Sequence, residues 1–163
     1  MRSKRLYLYL LSGATKITSL KIPSSVKKLG KGSFDKCSSL KSVYFEDGNE
    51  TLIYTSGRGS TETGGGTGGS VNYAMFCDSP IEYIYIGRNF QVSSNYRSSG
   101  AMFDYAPVKK IEIGPLVTNL IELCNLRELS DIELPNNVKE LTSFSGCNNL
   151  SPTLTAESFF GVF

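Results

Sequence analysis

The chain has 163 residues, 17 Lys+Arg against 15 Asp+Glu for a formal net charge of +2, and no histidine or tryptophan. That length fits one domain. The near-neutral balance without a basic stripe argues against a nucleic-acid backbone as partner. Without histidine there is no Ser-His or Cys-His couple and no imidazole metal ligand, so neither catalytic nor metal-binding residues are assigned and no cofactor is expected.

The start, MRSKRLYLYLLSGA, has the outline of a leader: basic residues, a short apolar run, and small residues at 12–14. Its apolar stretch is at the short limit for such a segment and carries two tyrosines. The alternation of Leu6, Leu8 and Leu10 predicts instead a strand within 1–16 that covers the first repeat. No apolar run is long enough to span a membrane as a helix.

Ile17, Leu20 and Ile22 set a three-point pattern, an apolar position a followed by apolar residues at a+3 and a+5. It returns at Leu40/Val43/Phe45, Ile81/Ile84/Ile86, Val108/Ile111/Ile113 and Leu129/Ile132/Leu134, and a degraded copy starts at Leu150. Successive a positions are separated by 23, 41, 27, 21 and 21 residues, so one unit carries an insertion. Two further columns fix the register. Val26/Leu29, Val117/Leu120 and Val138/Leu141 follow a by nine and twelve residues; Phe34/Cys37, Leu123/Leu126 and Phe144/Cys147 precede the next a by six and three, with Met75 and Met102 in the first of those places elsewhere. The closest echo is AMFCDSPIEYIYI at 74–86, which recurs as AMFDYAPVKKIEI at 101–113.

Positions a+3 and a+5 share one face of a strand because side chains alternate with period 2. Pro23, Gly87, Gly114 and Pro135 at a+6 end it, since proline cannot donate to a ladder and glycine permits a turn. Strands are therefore expected at about 17–22, 40–45, 81–86, 108–113 and 129–134. The return segments, such as PSSVKKLGKGS, are too short and turn-rich for long helices and read as irregular. One unit cannot bury its own apolar face, so the units must stack into a parallel sheet with a continuous core, a solenoid over 17–150.

The stretch TSGRGSTETGGGTGGS at 55–70 lacks the G-x-x-x-x-G-K-[ST] pattern of a phosphate cradle and reads as a loop within the stretched unit. Residues 151–163, ending SFFGVF, read as a degenerate last repeat or a C-terminal cap. The four cysteines, Cys37, Cys77, Cys124 and Cys147, include no Cys-x-x-Cys pair. They are expected as free, core-filling thiols, the alternative being a disulfide from Cys77 to a neighbouring unit.

The run ITSLKIPSSVKKLGKGSFDKCSSLKSVYF at 17–45 resembles the BspA-like leucine-rich repeats of bacterial surface proteins, and IEYIYIGRNFQVSS at 81–94 resembles a variant repeat of that family. The resemblance implies a right-handed, horseshoe-like leucine-rich-repeat solenoid of short parallel strands, and adhesion to a protein or glycan ligand at a cell surface or in the extracellular space. Ser33 in a place usually held by alanine, the long 46–80 region and Leu123/Leu126 depart from the pattern.

Positions a+2 and a+4 point away from the core. The first column reads Ser19, Ser42, Tyr83, Lys110, Asp131 and the second Lys21, Tyr44, Tyr85, Glu112, Glu133. Tyr44, Tyr83 and Tyr85 thus form an aromatic cluster beside Lys110, Glu112, Asp131 and Glu133, a candidate ligand-binding face. Exposed tyrosines offer contact area at low entropic cost, although tyrosine is also simply at home in strands. The acids on one sheet face read as solvated surface and not as a glycosidase pair.

Overall fold

The computed structural model describes residues 4–5, 10–30, 32–55, 58–59, 71–72, 75–76, 78–93, 102–120, 123–141 and 144–150. In chain order its strands are β1 (Lys4–Arg5), β2 (Ser19–Ile22), β3 (Val26–Leu29), β4 (Ser42–Phe45), β5 (Leu52–Tyr54), β6 (Arg58–Gly59), β7 (Val71–Asn72), β8 (Tyr83–Ile86), β9 (Phe90–Val92), β10 (Lys110–Ile113), β11 (Asn119–Leu120), β12 (Asp131–Ile132) and β13 (Glu140–Leu141). None of the described residues is helical. A five-stranded sheet runs β12-β10-β8-β4-β2 and a four-stranded sheet runs β1-β3-β5-β9, with β11 and β13 as a separate pair. Every neighbour in these three sets is parallel, and from β2 to β5 and from β8 to β13 the chain alternates between the two sides.

The five-stranded sheet pairs in the register read from the sequence. Leu20, Val43, Ile84, Ile111 and Ile132 stand opposite one another, and the last four are all 5% exposed or less. The strands are shorter than expected because each starts after position a. Leu40, Ile81, Val108 and Leu129 are fully buried, but their amides bond back into the preceding turn, to Cys37, Ser79, Ala106 and Leu126 respectively. A donor used in that turn is not available to the ladder.

The return segments are not irregular as expected. Val26–Leu29, Leu52–Tyr54 and Phe90–Val92 pair as a second parallel sheet. Val26 and Leu29 both face the core from i and i+3, which breaks the period-2 alternation that identifies a strand. Stacking of neighbouring units, and not local pattern, supplies the ladder.

At the N-terminus β1 pairs with β3, but the strand expected to run through Leu10 does not reach it. Leu10 is 45% exposed in a turn, Leu11 and Ala14 pack on the core, and the Leu11 and Gly13 amides donate to Ser33 and Asp35 carbonyls at 2.9 Å each. Residues 10–14 thus repeat the turn that carries Phe34 and Cys37 in the next unit. Leu6 and Leu8 lie outside the described residues.

One column of left-handed backbone runs through the stack: Gly13, Lys36, Asp78, Tyr105, Asn125 and Gly146, with φ between 54° and 78°. In the twin AMF units it falls one residue nearer to a than in the others, where Pro80 and Pro107 precede a. The same shift moves the core. Phe76 and Phe103, and not Met75 and Met102, continue the Phe34 ring column, with centroids 5.1 Å apart at each step; the two methionines are buried beside them.

The corners between the two sheets are tied by side chains. Arg88, fully buried, donates to the carbonyls of Pro23, Ser24 and Val26 at 2.8–3.0 Å. Asn89 accepts from the Thr118 and Asn119 amides, and Asn137 donates to the Pro115 and Val117 carbonyls. Gly87 and Gly114 are required for close approach, since neither has positive φ. A Cβ on Gly87 would come within 2.5 Å of Phe45 O, and one on Gly114 within 2.5 Å of Asp47 Oδ1.

In the stretched unit, β6 and β7 pair antiparallel, while β4 still pairs with β8 and β5 with β9. The rest of 56–70 lies outside the described residues, as do 151–163 and Cys77. Cys37, Cys124 and Cys147 are free thiols. Cys37 and Cys147 donate to the Leu11 and Leu123 carbonyls of the preceding unit at 3.2 and 3.1 Å, and burial pushes both thiols up.

Candidate functional site: the tyrosine face

The outward residues of the five-stranded sheet fall into the two expected columns. Ser19, Ser42, Tyr83, Lys110 and Asp131 are successive partners, as are Lys21, Tyr44, Tyr85 and Glu112. Glu133 lies one residue past β12, so it extends the second column in sequence but not in the ladder.

Tyr44 and Tyr83 sit diagonally on neighbouring strands with ring centroids 5.3 Å apart and planes tilted by 49°. Tyr44 is exposed and Tyr83 and Tyr85 are half-buried. Both half-buried hydroxyls are committed. Tyr83 OH donates to Glu112 Oε2 and Tyr85 OH to Asp47 Oδ1, each at 2.7 Å. Partial burial and then the Glu112 bond push the Tyr83 hydroxyl well above its ordinary pKa. The Asp47 bond and then burial push Tyr85 up to about 12. Both phenols are therefore neutral and held in place by a hydrogen bond.

The cations of the face are also spent. Lys110 pairs with Glu112 at 2.5 Å and Lys21 with Glu46 at 2.7 Å. Glu82 bridges Lys41 at 2.6 Å and Lys109 at 3.0 Å, and these two hydrogen bonds hold its carboxyl down to about 2. Lys110 first, and then Tyr83, hold Glu112 below the usual carboxylate range. Asp131 and Glu133 are exposed and make no ion pair among the described residues.

A groove of about 650 Å³ opens over β10 and β12, lined in part by Tyr85, Lys110, Glu112, Asp131 and Glu133. The structure thus brings the candidate residues onto one face, the tyrosines toward β4 and β8 and the acids toward β12. Sequence reading missed Asp47, which sits in the turn after β4 where strand periodicity says nothing. It also missed Glu82, although Lys41, Glu82 and Lys109 share position a+1 and could have been read as a column.

Among the described residues no group of His, Cys, Asp and Glu is arranged to hold a metal ion, and no helix is long and apolar enough to cross a membrane.

Residues 4–56 match the family model of the BspA type leucine rich repeat region (6 copies). The resemblance is a family match. It covers the N-terminal third, and the ladders of the five-stranded sheet carry the same inward column from β2 through β12. The BspA-type match points to a repeat module of the kind found in surface proteins. No curated protein and no solved structure was matched.

Proposed function

We propose that the chain is a right-handed leucine-rich-repeat solenoid serving as a non-enzymatic recognition or adhesion module of a surface or secreted protein, with a protein or glycan as ligand. Tyr44, Tyr83 and Tyr85 are its contact anchors; Lys110, Glu112, Asp131 and Glu133 tune selectivity. One observation carries this reading: the tilted Tyr44–Tyr83 pair on an open sheet face, extended by Tyr85 in register with Tyr44. Aromatic anchors carry most of the energy in recognition, while charged neighbours mainly steer encounter.

The second reading, a structural spacer within a larger surface protein, is favoured by the internal pairing of the face's lysines and of two of its phenols. A binding screen against matrix proteins and glycans separates the two, comparing wild type with the Tyr83→Ala, Tyr85→Ala double variant. Loss of binding in the variant is expected. Equal binding by both removes the face, and binding by neither favours the spacer.

A further inference from the structure

We infer that the groove over β10 and β12 seats a cationic side chain, an arginine or lysine of a protein partner, with the Tyr85 ring as one wall and the Asp131 and Glu133 carboxylates as counter-charges. The inference rests on the reading of this face as a recognition surface and names the chemistry of what it takes.

The charges lining the groove are Lys109, Lys110, Glu112, Asp131 and Glu133. Lys109 is held by Glu82 outside this set, and Lys110 is neutralised by Glu112. What remains uncompensated is Asp131 and Glu133. The Tyr85 hydroxyl is committed to Asp47, which fixes the ring where it lines the groove. An aromatic ring beside unpaired carboxylates complements a guanidinium or ammonium, which carries donors and positive charge and no acceptor. A neutral sugar would leave both carboxylates without a counter-charge. Arginine fits best, because its planar fork both stacks on an aromatic ring and donates two parallel hydrogen bonds to a carboxylate.

The test is an NMR titration of the full chain at low salt with acetyl-Arg-Gly-Arg amide, with the same peptide carrying citrulline, the uncharged isostere, and with maltotetraose. The arginine peptide is expected to shift the resonances of Tyr85, Glu112, Asp131 and Glu133, and the citrulline peptide to leave them in place. The Asp131→Asn, Glu133→Gln double variant should bind the arginine peptide roughly fivefold more weakly or less still. Both substitutions are isosteric and on exposed side chains, so the fold is retained. Equal binding of the citrulline peptide, shifts confined to other surfaces, or unchanged binding by the double variant would overturn the cationic seat. Maltotetraose shifting Tyr44 and Tyr83 while the arginine peptide does nothing would sink the seat and leave the recognition face standing. Silence from both peptides and the sugar, with no binding in the screen above, would remove both.

Discussion

Ile111 stands between Ile84 and Ile132 in a buried ladder and is itself 4% exposed. Ile111→Ala removes three carbons from a site whose neighbours are fixed by pairing on both sides, so it should cost about 2–5 kcal/mol, read as a fall in melting temperature. A backbone constraint acts at Lys36, whose φ of 54° is left-handed and whose side chain is exposed. Lys36→Gly removes that strain and should gain about 0.5–1 kcal/mol after the entropy of a freer unfolded chain. In the same column, a Cβ on Gly146 would lie 2.3 Å from Asn125 Oδ1 at a φ of +78°, so Gly146→Ala should lower the melting temperature. Glu82 adds a pH signature. Its folded carboxyl is held down to about 2 by Lys41 and Lys109, below its unfolded value, so its contribution is present above the ordinary glutamate range and is lost as pH falls to about 2. The melting-temperature gap between wild type and Glu82→Gln should therefore close across that window.

The strands Leu52–Tyr54 and Tyr83–Ile86 are separated by a long stretch of chain, yet β4 with β8 and β5 with β9 pair as if nothing intervened. Deleting 57–70 removes β6 and should leave these ladders intact, because shortening a connection between fixed ends changes closure entropy only slightly. Retained circular dichroism and a melting temperature within a few degrees of wild type are the expected result. The contrast between the two sheets shows what was legible in the sequence. Strands of the form Ser-Val-Tyr-Phe alternate in and out, so their register and the tyrosine columns could be read directly. Val-Lys-Lys-Leu presents two inward residues at i and i+3, and its strand character exists only where a neighbouring unit supplies the partner. The twin AMF segments misled in a different way. The left-handed residue falls one place later there, so the Phe34 column passes to Phe76 and Phe103 and not to the methionines in the aligned positions. Asp47 escaped because a turn has no periodicity to place its side chain.

Across the molecule, each ladder strand bonds mainly to its immediate neighbours, so local stability should depend on position in the stack. Amide hydrogen exchange should be slowest in β4, β8 and β10, flanked on both sides, and faster in β12 and β2, each with one neighbour in the sheet among the described residues. Arg88 complicates this picture in one place. It leaves the turn after β8 and bonds to carbonyls at the corner between β2 and β3, two strands away across the sheet from β8, with its side chain beside Gly48 of the unit built on β4. A linear array coupled only between adjacent members can lose order one member at a time. A coupling to the second neighbour opposes that here, because the outer two units stay joined across the middle one. The units on β2, β4 and β8 should therefore open together in hydrogen exchange, and replacing Arg88 by methionine should let them fray separately.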